Sequence, residues 1–260
     1  MRPTVRAITI AIAIIWLFII ATIGTAIYSA ANIRVFLNST ETTISPDGSI
    51  ILTVNFTIQN NWFEDLRNLN IITSILEDSR DILLSFNTTM IDSIGGGENI
   101  TVIHSVSMNL FNLDNETLEI LLFDDTALRF ETSVGVTLAE VLPVRVGVST
   151  KSYWGAPLYG FIAGPPTLKV VGGTNYASVL VSFENHSSLF PVIGTIKVSI
   201  YNSTGAFLGY GEASVSVPSY YDYSGYIDIP ISNPAYLTEN GTFSIQFAMN
   251  MFNFTWEVQY

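Results

Sequence analysis

The sequence lacks cysteine altogether and has only two histidines among its 260 residues. Without cysteine there can be no disulfide, no zinc–thiolate site and no thiol nucleophile. It also lacks a Gly-x-Ser-x-Gly elbow, a phosphate-binding P-loop and a His-Glu-x-x-His motif. We therefore predict no catalytic residue, no metal site and no cofactor, and expect that the protein is not an enzyme.

Charged residues are also scarce, and positive ones most of all. The chain has 10 Lys and Arg against 22 Asp and Glu, which gives a net charge of −12. Such a chain has no basic surface for nucleic acid, so we exclude that partner. The acidity is uneven, because residues 32–143 hold 16 Asp and Glu while residues 144–260 hold only 6.

One long stretch has no charge at all and lies between Arg6 and Arg34. Residues 7–31 are apolar enough, and long enough at about 1.5 Å per residue, to cross a hydrocarbon layer of roughly 30 Å. Arg2 and Arg6 precede this stretch and acidic residues follow it, so the positive-inside rule predicts a cytoplasmic stub at residues 1–6. We expect a single-pass protein of the cell membrane with an extracellular C-terminal ectodomain. Cleavage near Ala31, as in a signal peptide, is the alternative.

The pattern Asn-x-Ser/Thr recurs throughout the expected ectodomain. Nine copies are more than the composition leads us to expect, and they favour an extracellular, glycosylated surface. The predicted acceptors are Asn38, Asn55, Asn87, Asn99, Asn115, Asn185, Asn202, Asn240 and Asn253.

After residue 32 the hydrophobic period is two, which is typical of half-buried strands. On one face of a strand we expect Leu52, Val54 and Phe56 to be buried, and in a later strand Val181 and Phe183. Turn signals such as the glycines at residues 95–97 separate the strands, and we expect that one to be a hairpin turn. Apart from a single helical turn within residues 114–119, no helix is predicted.

The ectodomain reads as two copies of one pattern. Each copy has an alternating strand that ends in asparagine, Asn60 in ILTVNFTIQN and Asn185 in SVLVSFEN, followed by a bulky apolar cluster and a second alternating strand. We place the boundary near Pro143, so residues 32–143 would form an acidic first β-sandwich and residues 144–260 a second. Residues 152–168 are expected to open the second copy as an irregular aromatic segment.

The segments VNFTIQNNWFEDLRNLNI and VSFENHSSLFPVIGTIKVSIYNSTGAFLG with IDIPI resemble the LEA14/WHy domain, the late-embryogenesis-abundant type 2 family. Both copies lack that family's usual Asn-Pro-Asn. The resemblance covers nearly the whole ectodomain. It implies an all-β fold of two immunoglobulin- or fibronectin-like sandwiches in tandem behind the anchor, without catalytic residues. We expect an archaeal source.

The histidines and the acidic clusters do not form predicted sites. His104 falls on an apolar strand face and is expected to be a buried, hydrogen-bonded core residue, whereas His186 lies in a loop without a second histidine for a metal pair. Carboxylates cluster at Glu64-Asp65, at Glu77-Asp78 with Asp81, and at Asp124-Asp125. They lack the spacing of a calcium loop, and we interpret them as solvated loops.

Aromatic residues supply the candidate contact surface. Tyr220, Tyr221, Tyr223 and Tyr226 lie together in PSYYDYSGY, and a second group contains Tyr153, Trp154, Tyr159 and Phe161. Exposed aromatic rings beside Ser and Gly are typical of protein or sugar contacts. Packing between the two domains, or under a long loop, is the alternative for both groups.

Together these features predict a non-enzymatic, membrane-anchored binding or assembly module of the cell envelope. Its partners would be the lipid bilayer through residues 7–31, an envelope protein, and glycans. The alternatives are a subunit of a pilus, filament or surface layer and, more remotely, a carbohydrate-active enzyme.

Overall fold

The computed structural model describes residues 32–45, 47–138 and 142–260, together with the single helical positions Leu17 and Gly24. The predicted anchor at residues 7–31 and the stub before it otherwise lie outside the described residues. Within the described part, no helix combines the length and the apolar character that a bilayer crossing requires.

The described residues are almost entirely β-structure, as the period of two predicts. One short helix, α1 (Asn115–Phe123), and two 3-10 turns (Leu110–Asn112 and Pro234–Tyr236) interrupt it. The strands are β1 (Ile33–Ile44), β2 (Ser49–Asn60), β3 (Leu66–Glu77), β4 (Ile82–Ile94), β5 (Asn99–Asn109), β6 (Thr126–Leu138), β7 (Leu142–Trp154), β8 (Tyr159–Ala163), β9 (Thr167–Val171), β10 (Thr174–Glu184), β11 (Val192–Asn202), β12 (Phe207–Val217), β13 (Asp222–Ile231), β14 (Gly241–Met249) and β15 (Asn253–Gln259).

The strands form four antiparallel sheets, which is consistent with β-sandwiches. The N-terminal pair of sheets has the orders β1-β2-β5 and β4-β3-β6-β7. The C-terminal pair has the orders β13-β10-β8, with β9 also paired to β10, and β12-β11-β14-β15. Once β8 and β9 together take the place of β1, the two pairs have the same strand order. This matches the duplication that the sequence pattern predicts.

The predicted boundary near Pro143 falls inside strand β7. β7 pairs with β6 from Leu142 to Trp154, so these residues complete the N-terminal pair of sheets. Pro143 is tolerated there because β7 is an edge strand, and its missing N–H breaks no ladder on the outer side. The aromatic segment at residues 152–168 is also more regular than expected, since it contains the end of β7, all of β8 and the start of β9.

The helix α1 is longer than the single turn that was predicted. Asp114 caps it by accepting hydrogen bonds from the backbone N–H of Thr117 at 2.9 Å and from the Thr117 hydroxyl at 2.8 Å. Leu118 and Leu121 are buried in the main hydrophobic core, and Leu121 accepts a hydrogen bond from the Trp154 indole at 2.8 Å through its carbonyl. The helix therefore stabilises the join between the two pairs of sheets.

The core divides unequally between the two pairs. One large cluster runs from the end of the N-terminal pair, through α1, into the whole C-terminal pair, and includes Val181 and Phe183 as predicted. A smaller cluster around Phe56 fills the other end of the N-terminal pair. Leu52 and Val54 are only half-buried against these clusters, because the N-terminal pair covers their strand less completely.

The turn at residues 95–97 is not the hairpin that was predicted. It joins β4 to β5, which belong to different sheets of the N-terminal pair. Gly96 is required there because a Cβ atom would lie 2.2 Å from the carbonyl oxygen of Phe63. The corresponding connection in the C-terminal pair joins β12 to β13, and it contains Tyr220 and Tyr221.

Candidate functional site

Two buried asparagines stabilise the connections between sheets through side-chain hydrogen bonds. The side chain of Asn185 is fully buried, and its Nδ2 donates to the carbonyls of Phe190, Val217 and Pro218, each at 3.2 Å. Asn60 does the same in the N-terminal pair, where its Nδ2 donates to three carbonyls at 2.8–3.2 Å. These are the two asparagines that the sequence pattern places at the ends of equivalent strands.

The backbone of Asn185 also bonds the connection at residues 218–221, which we call the tyrosine turn. Its N–H donates to the carbonyl of Tyr221 at 2.8 Å, and its carbonyl accepts from the N–H of Tyr220 at 2.6 Å. Tyr220 has a φ of +66°, a left-handed conformation that is uncommon for a bulky residue. Gly97 lies two residues before β5, as Tyr220 lies two residues before β13. Gly97 has a φ of +75°. The C-terminal pair thus has tyrosine at a position whose backbone favours glycine.

Tyr220 and Tyr221 help to line a cleft of about 360 Å³, which we call the tyrosine cleft. Tyr220 is 69% exposed and Tyr221 is 63% exposed, so both rings face solvent. The other residues that line the cleft are polar or charged. The cleft is lined by Glu184, His186, Tyr220, Tyr221 and Asp222.

His186 links the cleft to the N-terminal pair of sheets. Its Nδ1 lies 2.8 Å from Oδ2 of Asp125, which precedes β6, and its Nε2 lies 2.9 Å from Oε2 of Glu184. Its ring stacks on Tyr159 with 4.1 Å between centroids. Burial lowers the pKa of His186, but the hydrogen bonds to Glu184 and Asp125 outweigh it, and the pKa lies above its ordinary value. The ring therefore bridges two carboxylates, those of Asp125 and Glu184.

Asp125 is the anchor of this bridge. Burial raises its pKa, but hydrogen bonds from the Ala156 N–H, from His186 and from the Tyr153 hydroxyl outweigh that effect and leave the pKa lowered. The Ala156 N–H lies 2.9 Å from Oδ1. In turn, the hydrogen bond to the carboxylate of Asp125 raises the pKa of Tyr153 to about 12.

The two aromatic groups identified in the sequence therefore meet at one place. Tyr153, which is 62% exposed, bonds Asp125, and Asp125 contacts His186, which stacks on Tyr159 and lines the cleft with Tyr220. Trp154 and Phe161 do not join them, because Trp154 is buried and Phe161 packs against Phe247 with 5.1 Å between centroids. No local pattern in the sequence predicts that residues 125 and 153 lie near residues 186 and 220.

The structure also divides the four candidate tyrosines. Tyr220 and Tyr221 line the cleft, but Tyr223 is half-buried and packs on Phe183 with 5.4 Å between ring centroids. Tyr226 is 66% exposed and lies outside the cleft lining, four residues further along β13 than Asp222. At about 3.3 Å per residue, that separation is roughly 13 Å.

His104 behaves as the sequence predicts. It is 2% exposed, and its two ring nitrogens lie 2.8 Å from Oγ1 of Thr89 and 3.0 Å from Oγ1 of Thr73. Burial lowers its pKa. His104 is thus a neutral core residue, opposite in charge preference to His186.

The predicted glycosylation sites differ in access. Asn185 does not suit a glycan, because the same Nδ2 that a glycan would occupy is buried and donates to three carbonyls. Asn202 is only 9% exposed, and Asn55 is half-buried. The exposed acceptors are Asn38, Asn87, Asn99, Asn115, Asn240 and Asn253.

The acidic clusters have structural partners. Asp78 and Asp81 both pair with Arg129, and Asp78 also pairs with Lys151 at 2.6 Å. Glu77 is buried and accepts hydrogen bonds from the backbone N–H groups that follow it. In the described ranges, no three histidine or carboxylate side chains converge as metal ligands.

Known proteins resemble this chain only weakly. No family model matches the chain, and no curated protein does. A bacterial adhesin from Mobiluncus mulieris is 11% identical at a TM-score of 0.30, covering 82% of this chain and 80% of the adhesin. The periplasmic chaperone SfaE is 14% identical at a TM-score of 0.25, covering 87% of this chain and 97% of SfaE.

Two enzymes are matched over small parts of their length. A β-glucuronidase from glycoside hydrolase family 2 is 14% identical at a TM-score of 0.26, covering 51% of this chain and 11% of the enzyme. Red sea bream transglutaminase is 8% identical at a TM-score of 0.29, covering 87% of this chain and 31% of the enzyme. Likenesses this weak carry no functional argument.

Proposed function

We propose that the protein is a non-enzymatic binding or assembly module of the cell envelope, anchored in the membrane through residues 7–31 and displayed outside the cell. The tyrosine cleft is its contact surface. The observation that carries this proposal is the pair of exposed rings, Tyr220 and Tyr221, on a turn that the fold itself builds from glycine in the other pair of sheets. Grouped exposed rings are unfavourable in water and mark contact sites.

Each pair of sheets is proposed to be one immunoglobulin- or fibronectin-like sandwich, with a LEA14/WHy-like ancestry. The division then lies after Trp154, where β7 ends. The shared strand order and the two equivalent asparagines, Asn60 and Asn185, support this proposal.

The chemistry of the cleft favours binding over catalysis. Both ring nitrogens of His186 are bonded to carboxylates, so the ring has no free nitrogen with which to take a proton from a substrate. Asp125 is held by three donors and is not positioned as a nucleophile. The cleft lining contains no serine, threonine or lysine.

A structural subunit of a filament or surface layer is the second candidate. Two edge strands expose apolar side chains, with Val35 and Leu37 of β1 60% and 66% exposed, and Leu168 and Val170 of β9 54% and 62% exposed. Open edges of this kind accept a strand from a second copy. Concentration-dependent assembly of the purified full chain that is abolished by Val35→Lys would favour this candidate.

The deciding experiment is crosslinking in native membranes with identification of neighbours. We expect Tyr220→Ser combined with Tyr221→Ser to lose neighbours that Tyr226→Ser, a control of similar exposure outside the cleft, retains. Tyr223 is left intact because its ring packs on Phe183. Equal recovery from both variants, or a melting temperature lower by several degrees in the double variant alone, would contradict a contact surface at the cleft.

The orientation has its own test. Protease added outside intact cells should digest residues beyond 32 once glycans are trimmed, and should spare the N-terminus. Labelling of the ectodomain by a cytoplasmic reagent would overturn the proposed topology.

A further inference from the structure

The tyrosine cleft contains a pair of like charges that the fold places side by side. Glu184 of β10 and Asp222 of β13 are direct partners in the antiparallel ladder, and both line the cleft. Direct partners point to the same face of the sheet, and like charges in that position are destabilising. His186 bonds one oxygen of Glu184, and the cleft lining contains no Lys or Arg.

The one other carboxylate on these two strands is paired with a lysine. Asp228, six residues along β13 from Asp222, pairs with Lys169 at 2.7 Å and accepts a hydrogen bond from Ser178. The charge of this outward-facing acid is therefore neutralised by a neighbouring lysine. At the cleft, by contrast, Glu184 is bonded only by His186, and among the described residues no Lys or Arg pairs with Glu184 or Asp222.

The rings beside this acidic pair add a second attraction for positive charge. Tyr220 and Tyr221 are more than half exposed and line the same cleft. The face of an aromatic ring attracts a cation, and it does so most strongly for weakly hydrated organic cations such as guanidinium. Carboxylates and ring faces together thus match a group that carries charge on a flat or apolar body.

We infer that the tyrosine cleft binds an organic cation, a guanidinium or alkylammonium group, between the Glu184–Asp222 pair and the rings of Tyr220 and Tyr221. This inference rests on the proposed binding function and names its ligand class. A volume of about 360 Å³ is within the range of small-ligand pockets, so the cleft takes one side chain or a small amine rather than a folded surface. A calcium ion fits less well, since two carboxylates fall short of the six to eight oxygens it takes.

The inference is tested on the full chain in detergent micelles or nanodiscs, by titration with N-acetyl-arginine amide and with its neutral isostere N-acetyl-citrulline amide. We expect the arginine probe to bind at least tenfold more tightly, with an affinity that falls as salt is raised. Asp222→Asn should weaken the arginine probe about tenfold. Asp228→Asn, which removes an acid of the same strand outside the cleft, should leave binding unchanged.

A structural role for Asp222 is separated by stability. Because Asp222→Asn removes a repulsion, its melting temperature should equal or exceed that of the parent while binding falls. Equal affinity for the two probes, or equal effects of Asp222→Asn and Asp228→Asn, would overturn the inference. Agmatine and a short arginine-containing peptide then distinguish a free amine from a polypeptide side chain as the source of the cation.

Failure of this inference is distinguishable from failure of the proposed function. If the Tyr220 and Tyr221 variants lose crosslinked neighbours but no probe binds, the contact surface stands and the cationic ligand is rejected. If the arginine probe binds but crosslinking is insensitive to both tyrosines, the cleft is a small-ligand site and the assembly proposal is rejected.

Discussion

The two pairs of sheets share one strand order, yet they differ at the same connection. Both use a buried asparagine, Asn60 or Asn185, to hold the chain as it leaves the second strand. The N-terminal pair then reaches its left-handed position with Gly97, the C-terminal pair with Tyr220. The repeated residues are those that the fold requires, and the differing ones belong to the contact surface that we propose.

Their cores differ as well. The C-terminal pair is filled by fully buried aliphatic and aromatic side chains such as Val179 and Phe247, whereas the smaller cluster of the N-terminal pair lies beside a buried polar group, His104 with its two threonines. The C-terminal pair should therefore be the more stable of the two, and the predictions below test that ranking and the roles of the differing residues.

The largest expected effects come from emptying the cores. Phe183→Ala should reduce the free energy of unfolding by about 3–5 kcal/mol, because its side chain is 2% exposed in a well-packed cluster. Phe56→Ala should fall at the lower end of that range, since Phe56 is 8% exposed and its surroundings can collapse more easily. Denaturant unfolding of each variant measures the difference. A greater loss from Phe56→Ala would reverse the ranking of the two cores.

Removing either buried asparagine should reduce stability by nearly the same amount. Asn60→Ala and Asn185→Ala each leave buried carbonyls without a donor, and each should cost about 3 kcal/mol. The same denaturant series gives both values, with exposed Asn253→Ala as a control expected to change stability little. Glycopeptide mass analysis provides a second check, because we expect no glycan on Asn185 in the folded protein.

Exchanging the turn residue separates fold from function. Tyr220→Gly removes a left-handed side chain that costs roughly 1–2 kcal/mol, and the gain is partly offset by the greater freedom of glycine in the unfolded chain. The melting temperature should thus be unchanged or slightly higher, while crosslinked neighbours are lost. Destabilisation by several degrees would show that the Tyr220 ring is part of the packing.

The smallest effect concerns the two histidines, whose pKa shifts have opposite signs. The raised pKa of His186 means that its bridge to Asp125 and Glu184 stabilises the fold fully below the ordinary value of 6.5 and loses that contribution as pH rises through the folded pKa. The lowered pKa of His104 means that stability is lost as pH falls from 6.5 through its folded pKa.

Proton NMR of the two imidazole rings measures both pKa values, since the chain has only two histidines. One resonance should titrate above pH 6.5 and be absent from His186→Gln, and the other should titrate below pH 6.5. Asp125, Glu184, Asp222 and the rings of Tyr159 and Tyr220 are the groups around His186, so Asp125→Asn should lower the upper pKa. An unchanged value would contradict the bridge.

Local patterns predicted most of the secondary structure. The period of two identifies strands because it reports which face of a segment is buried, and the asparagines at strand ends identify the duplication. The same logic did not predict the strand at residues 142–154 or the full length of α1. Proline is common in turns, but the edge strand β7 tolerates Pro143. The neighbouring leucines of α1 are buried by both pairs of sheets, so the sequence of α1 has no clear apolar stripe.

The sequence by itself determined the all-β character, the repeated asparagines, the buried state of His104 and the presence of an aromatic turn at residues 220–226, since each follows from neighbouring residues along the chain. Only the tertiary structure decided which rings share a site. Asp125 and His186 are 61 residues apart, and Glu184 faces Asp222 across a ladder whose register no local pattern fixes. The whole fold decides which strands pair and in which register, and this pairing places the two carboxylates of the tyrosine cleft side by side.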